Sequence, residues 1–451
     1  MTHGALGWWP MPADALHAAR PRGGGARCQW RVLGSLTMRL LHTSDWHLGR
    51  SFHRASLLDA QRAFLDHLVA TAQERAVDAV LVAGDIYDRA VPSLAAVEMF
   101  DHALHRLAEG GITTVMISGN HDSARRLGVG SKLMGRAGVH LRTDPEECGT
   151  PVLLPDGEGH GEVAVYGVPY LEPSLVRHAL GAGTGSHTAV LGAAMDRVRA
   201  DLATRPPGTR SVVLAHAFVT GGEVSDSERD ITVGGVASAP ASVFDGVDYV
   251  ALGHLHNCQT LTERVRYCGT PIAYSFSEAG HPKSMWLIDL GPGGEVTAER
   301  LHCPVPRPLA RLRGSLEELL EDPAHERHTD SWVEATLTDA ARPHEPMARL
   351  AERFPHTVSL VFAPEREETD DTRSYAVRLK GRTDRQIAED FVGHVRPGRA
   401  AAPEERAMLG QALEAVRVAE SEQDAPAAPS RTAPAARSAA SGHRTGAEEA
   451  R

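Results

Sequence analysis

MRLLHTSDWHLGR, residues Met38 to Arg50, is a short apolar run that leads into a loop carrying an acid and a histidine. Met38 to Leu41 is interrupted only by Arg39, the pattern of a strand buried in a sheet, and the polar His-Thr-Ser that follows marks its exit. Asp45 and His47 sit two residues apart. In extended backbone that spacing turns both side chains to one side, so a carboxylate oxygen and an imidazole nitrogen can reach one cation. The pair alone is weak evidence in a chain with 24 histidines.

Working outward from this strand, the pattern repeats. Apolar residues from Arg54 to Arg75 recur at helical spacing, the strand DAVLVAG (Asp78 to Gly84) ends in Gly-Asp, and a second helix spans Val91 to Glu109 with Pro92 in its first turn. GITTVMISGNHD (Gly111 to Asp122) is a third strand with a polar end. Strand, helix, strand, helix, strand predicts an α/β fold, in which ligands gather at the carboxyl ends of the strands. Further on come a strand at Glu162 to Val168, a helix near Thr188 to Leu202, and SVVLAHA (Ser211 to Ala217), which ends at His216. After the Gly-rich loop GGEVSDSERDITVGG, DYVALGHLH (Asp248 to His256) is another buried strand with a polar tip, and RYCGTP and MWLIDL supply more strands.

The pattern changes near Cys303. Strand WVEATLTD (Trp332 to Asp339), helix Pro346 to Arg353 and strand HTVSLVFAPE (His356 to Glu365) predict a small α+β unit. Two amphipathic helices, Arg382 to His394 and Pro403 to Ala419, read as a hairpin. The expected division is residues 1–37 disordered or preceding the true start at Met38, 38–303 as the catalytic domain, 304–380 as the α+β unit, 381–420 as the hairpin, and 421–451 as a disordered tail.

Bulk composition mainly excludes. At 42% apolar and 23% charged, the chain resembles an ordinary globular protein. No apolar stretch is long enough to span a bilayer, and no secretory signal opens the chain. Five widely spaced cysteines without a C-x-x-C pair argue against a disulfide framework or a thiolate zinc knot and point to the reducing cytoplasm. A net charge of -11 argues against binding nucleic acid through bulk positive charge, though not through a local basic or metal-rich groove.

Five strand ends carry the chemistry: Asp45 and His47; Asp85 and Asp88; Asn120, His121 and Asp122; His216; and His254 with His256. Oxygen and imidazole donors without thiolate suit manganese, iron or zinc at a catalytic site, and there are too many donors for one ion. Two ions about 4 Å apart serve in-line displacement at phosphorus.

The blocks D-x-H, G-D-x-x-D, G-N-H-D, a lone His after a strand, and G-H-x-H, in this order, resemble the calcineurin-like metallophosphoesterase superfamily. More closely, HTSDWHLGR, VAGDIYDR, SGNHDS, ALGHLH and VRYCGTPIAYSFSE are similar to the SbcD-like nuclease subunits of bacteria, from Met38 to about Pro306. The resemblance implies a central β-sandwich flanked by helices, a DNA-capping α+β domain and a C-terminal helical hairpin. It implies two divalent ions, manganese first among them, with Asp45, His47, Asp85 and His256 around one and Asp85, Asn120, His216 and His254 around the other. Two such ions outweigh the two carboxylates, so the site stays attractive to phosphate on an acidic protein. His121 matches the family's catalytic histidine, and Asp88 is expected to orient and charge it, whereas Asp122 reads as a helix cap. Arg50, Arg54, Arg89, Arg125 and Arg126 flank the loops and are candidate contacts to the DNA backbone.

The implied activity is an ATP-stimulated 3′–5′ exonuclease on duplex DNA and an endonuclease on hairpins, acting with an SbcC-like ATPase as a homodimer within a heterotetramer in DNA repair, recombination and replication. The rivals are a small-molecule phosphoesterase such as a nucleotidase, which needs neither capping unit nor docking hairpin, and a non-catalytic scaffold, which usually loses ligands.

Overall fold

In β1 (Met38–Thr43) and β4 (Ala79–Ala83) nearly every side chain is buried, because strands in the middle of a covered parallel sheet have no face turned to water. This computed structural model describes residues 37–156, 161–223, 225–226, 238–364, 381–396 and 399–423. The stretch before Thr37, most of the Gly-rich loop after His216, the end of the α+β unit and the tail beyond Gln423 lie outside them.

After β1 come β2 (Ser51–Phe52), β3 (Ala55–Ser56), α1 (Leu58–Glu74), β4, α2 (Leu94–Glu109), β5 (Thr113–Ile117), α3 (Ala124–Leu127), α4 (Ser131–Met134) and β6 (Val139–Arg142). The next elements are β7 (Val152–Pro155), β8 (Glu162–Val168), α5 (Pro173–Leu180), α6 (His187–Leu202), β9 (Arg210–His216), β10 (Tyr249–Gly253), β11 (Gln259–Thr260), β12 (Val265–Tyr267), β13 (Ser284–Leu290) and β14 (Val296–His302). Among the described residues these strands form two six-stranded sheets, ordered β14-β13-β1-β4-β5-β6 and β11-β12-β10-β9-β8-β7. In the first, the parallel strands β1, β4, β5 and β6 are extended beyond β1 by the antiparallel pairings of β13 and β14; in the second, the parallel strands β12, β10, β9 and β8 have an antiparallel strand at each edge.

The sheets pack face to face. Leu40, Leu81, Val115 and Ile117 of the first share one apolar cluster with Val163, Val212, Leu214 and Ala251 of the second. Helices α1 and α2 cover the outer face of the first sheet, and α6 that of the second. The expected metallophosphoesterase fold, a β-sandwich flanked by helices, is the one observed. His42 spans the sandwich: its Nδ1 lies 2.9 Å from the Tyr249 hydroxyl and its Nε2 lies 3.2 Å from the Leu252 carbonyl.

Two helix starts differ from the sequence reading. The helix expected from Arg54 begins at Leu58, because residues 51–56 make a tight hairpin in which His53 and Arg54 take positive φ. The helix expected from Val91 begins at Leu94: the Ser93 hydroxyl caps it by accepting from the Ala96 N–H, so Pro92 lies before the cap.

Contacts divide the chain into two compact units, Met1–Arg313 with Glu317–Thr336 and Met347–Val361, and Gly314–Leu316 with Leu337–Pro346 and Phe362–Arg451. β15 (Leu309–Gly314), α7 (Leu316–Glu321), β16 (Trp332–Leu337), α8 (Pro346–Arg353) and β17 (Thr357–Phe362) follow the sandwich, the strands forming a sheet in the order β15-β16-β17. The second unit contains α9 (Asp384–Val395), which starts at a Thr383–Gln386 capping box, and α10 (Pro403–Gln423). Arg396 and Glu405 pair at 2.7 Å across their connection. Helix α10 runs past the expected end at Ala419 into what read as tail.

Candidate metal centre

The carboxyl ends of β1, β4 and β5 in one sheet and of β9 and β10 in the other converge on one buried cluster. Asp45, His47, Asp85, His121, His216, His254 and His256 are all buried. The loops that bring them together are bent out of ordinary conformations: φ is 52° at Asp45, 43° at His47, 48° at Asp85 and 104° at His254. Left-handed backbone costs a non-glycine residue roughly 1–2 kcal/mol, so four such residues persist only where the surroundings hold them.

Long-range hydrogen bonds do the holding. The Asp45 N–H donates to the Gly84 carbonyl and the His47 N–H to that of Asp85, both at 3.0 Å. The Asp45 carboxylate accepts the His254 N–H at 3.0 and 3.1 Å, linking the two sheets. Gly119 permits a close approach, since a Cβ there would lie 2.1 Å from Asp85 Oδ1.

Asp85 stands at the middle of the cluster. Its Oδ2 lies 3.5 Å from His216 Nε2, 3.7 Å from His47 Nε2 and 3.9 Å from His121 Nε2, while Oδ1 accepts the His121 N–H at 2.9 Å. His47 and His256 present their Nε2 atoms to each other at 3.2 Å. Asn120 Oδ1 lies 3.0 Å from His216 Nε2 and 3.3 Å from His254 Nδ1.

Burial works to raise the Asp85 carboxyl, yet His216, His47 and His121 together hold it well below the usual carboxylate range. Burial likewise works to lower His216, but Asp85 outweighs it and lifts that imidazole to about 9. Burial raises Asp45 to about 6, and burial with the charge of His216 lowers His254 to about 3.

This donor set fits divalent cations. Asp45, His47 and His256 can converge on one point, and so can Asp45, Asp85 and His216. The Nδ1 of His216 is occupied by the Ala83 carbonyl at 2.8 Å, and the Nδ1 of His256 faces Glu278, which leaves both Nε2 atoms aimed into the cluster. That is how ligating histidines are oriented. His47, Asp88 and His121 form a third convergent group at the outer edge.

His121 is held by Asp88, though not as expected. Its Nδ1 donates to the main-chain carbonyl of Asp88 at 2.8 Å, while the carboxylate is 4.0 Å away and faces Arg50 and Arg89. Arg50 is half-buried, lying over the Tyr274 ring, whereas Arg54 and Arg89 on neighbouring loops and Arg125 and Arg126 in α3 are exposed.

Two groups escaped the sequence reading. Asp122 does not cap the helix that follows it. Its carboxylate accepts the N–H groups of Ile86 at 3.1 Å, Tyr87 at 2.9 Å and Gly119 at 3.0 Å, tying the Asp85 loop to the Asn120 turn. Burial beside Asp85 raises this carboxyl to about 7. The second group is the buried pair Glu278–Lys283 behind His256. Only the place of Glu278 at the end of the VRYCGTPIAYSFSE block hinted at it, Lys283 lying beyond that block.

The calcineurin-like phosphoesterase family matches residues 38–258, a span containing every residue of the cluster. The chain carries a calcineurin-like metallophosphoesterase domain. Residues 305–395 match a second family, SbcD_C, described as the type 5 capsule protein repressor C-terminal domain, so the domain order is that of SbcD-like proteins. Two solved structures are similar in part. TT1561 of Thermus thermophilus is 14% identical over 58% of this chain and 99% of that one, with a TM-score of 0.35. A dimetal phosphatase from Danio rerio is 13% identical over 59% of this chain and 96% of that one, with a TM-score of 0.31. Scores this low bear on neither substrate nor mechanism. The family uses divalent metals, and the domain is of a hydrolase, phosphodiesterase type. No helix among the described residues is long and apolar enough to cross a membrane.

Proposed function

We propose that this protein is the nuclease subunit of an SbcCD-like complex, a manganese-dependent DNA phosphodiesterase that cuts duplex ends 3′ to 5′ and opens hairpins with an SbcC-like ATPase. The observation that supports the reading is the coexistence of a buried acid–imidazole cluster in a phosphoesterase-type domain with an SbcD_C-type region, which a nucleotidase has no use for. A scaffold that had abandoned catalysis would not be expected to keep four strained residues around buried imidazoles.

Asp45, His47, Asp85 and His256 would hold one ion, and Asp85, Asn120, His216 and His254 the other, with Asp85 between them. Such ions polarise the phosphate and lower the pKa of a bound water. The chain's own groups complete the chemistry. His121 donates Nδ1–H to the Asp88 carbonyl, which orients its ring so that Nε2 faces the cluster. In its doubly protonated form it stabilises charge on the phosphate and passes the Nε2 proton to the departing sugar oxygen. Arg50, kept over Tyr274 and near Asp88, is the arginine best placed to meet the DNA backbone, with Arg54, Arg89, Arg125 and Arg126 on the approach.

Domains would divide as 38–303 for cleavage, 304–380 for capping DNA and 381–420 for docking the ATPase. Helices α9 and α10 leave Phe391, Val395, Met408 and Val416 exposed, apolar surface suited to a partner helix. Val91, Leu94, Val97, Val129 and Leu133, also exposed, offer a surface for a second copy. A cytoplasmic location follows from this role.

The test uses purified protein with manganese on end-labelled duplex and hairpin DNA, with and without the ATPase subunit. Cleavage of both, stimulated by ATP in the complex, is expected. Hydrolysis of nucleotides or small phosphoesters with DNA left intact would overturn the proposal.

A further inference from the structure

Glu278 and Lys283 are an ion pair with almost no exposure to water. Every polar atom of the pair is used. Glu278 Oε1 accepts the Tyr274 N–H at 3.2 Å and lies 3.7 Å from His256 Nδ1, and Oε2 accepts the Thr270 hydroxyl at 3.1 Å. The Lys283 ammonium donates to that same Oε2, to Thr270 Oγ1 at 2.8 Å and to the His256 carbonyl at 3.2 Å. His256 is therefore gripped from both ends, ring and backbone.

The same segment also supports His47. The Tyr274 hydroxyl donates to the Trp46 carbonyl at 2.5 Å and accepts from Gln61 at 3.3 Å, and Gln61 donates to the His47 carbonyl at 2.8 Å. The other histidines differ: His216 Nδ1 rests on a main-chain carbonyl, and His254 turns its Nδ1 into the cluster toward Asn120 Oδ1, with no carboxylate shown behind it among the described contacts.

A buried ion pair is poor evidence of a contribution to stability, since an apolar pair of similar volume often does as well. Its placement suggests another role. A carboxylate behind a ligating imidazole keeps the proton on Nδ1, leaves Nε2 the better electron donor, and fixes the ring plane. Asp45 also converges with Asp85 and His216, so charge does not separate the two positions, and the difference between them rests on the support behind His256.

We propose that the Glu278–Lys283 pair is a positioning device for His256 that makes the ion held by Asp45, His47, Asp85 and His256 the tighter of the two. This rests on the ligand assignment above and deepens it. The two sites then load in order, with the His216 and His254 ion added last and lost first.

The test is calorimetric titration of manganese into the metal-free full chain, with electron paramagnetic resonance counting unbound ion. Wild type should show a tight event and a weaker one. Glu278→Gln should weaken the tight event by roughly 10- to 100-fold and leave the weaker one in place. Because that variant strands a buried ammonium, Glu278→Gln/Lys283→Met is made alongside. It should melt near the wild-type metal-free temperature and show the same selective loss. Unchanged affinities, equal weakening of both events, or a double variant that cannot fold would overturn the positioning role. A wild-type protein that binds no manganese would instead overturn the ligand assignment beneath it.

Discussion

His121→Asn separates chemistry from ligation, because the two functions of His121 lie on different atoms. Its backbone N–H donates to Asp85 Oδ1 at 2.9 Å, a bond that asparagine keeps. Its side chain contributes the 2.8 Å bond to the Asp88 carbonyl and an Nε2 placed 3.9 Å from Asp85 Oδ2. Losing the carbonyl bond costs about 1 kcal/mol of stability, too little to unfold a sandwich of this size. Losing a positioned acid costs a factor of roughly 10² to 10⁴ in rate. At about 1.36 kcal/mol per decade that is about 2.7–5.4 kcal/mol of barrier. The assay is single-turnover cleavage of end-labelled duplex at saturating protein and manganese, beside metal analysis and a melting curve. Wild-type occupancy with a rate lowered within that range is expected. A wild-type rate would make His121 structural, and lost metal would make it a ligand.

Three further outcomes follow. Asp85→Ala should abolish cleavage and the binuclear site, as chelation should for wild type, and two ions still bound at full occupancy by metal analysis would sink the assignment. Burial holds His42 neutral, near 3 against an ordinary 6.5, so the stability it contributes is present above pH 6.5 and is lost as pH falls from there through 3, at up to about 1.4 kcal/mol per pH unit. In urea denaturation the difference between wild type and His42→Gln should therefore shrink by about that amount per unit below pH 6.5, and parallel curves would contradict it. Ending the chain at Lys380 removes α9 and α10, and should preserve manganese-dependent cleavage of simple DNA while abolishing co-purification with the ATPase; undiminished complex formation would move the docking surface elsewhere.

What could be read from the sequence was what local patterning encodes. Strands covered on both faces, such as β4 and β10, are apolar runs that end where the chemistry begins, so Asp85 and His254 could be placed at strand ends without a structure. β14, VTAERLH, could not be found that way, because a half-exposed edge strand alternates with polar residues and shows no run. The hairpin at 51–56 was hidden for a different reason: apolar spacing cannot report the positive φ of His53 and Arg54. Asp122 was misread because a carboxylate before a helix is usually a local cap, whereas here two of its three bonds reach back to Ile86 and Tyr87 on another loop. At Asp88 it is the main chain, invisible to a reading of side chains, that makes the hydrogen bond to His121.

The arrangement of the site explains why its supporting groups are harder to see than its proposed ligands. Asp45, His47, Asp85 and Asn120 come from one sheet and His216, His254 and His256 from the other, so the cluster lies across the mouth of the sandwich. No single loop can fix such a geometry. The Asp45 carboxylate on the His254 N–H closes the gap between sheets, Asp122 binds two loops of the first sheet to each other, and Glu278 with Lys283 braces His256 from behind. Each of these is a carboxylate accepting backbone or ammonium protons. Their bonds to fixed backbone donors hold strained loops in place before any cation arrives, and that preorganisation reduces the reorganisation needed when charge develops on a bound phosphate.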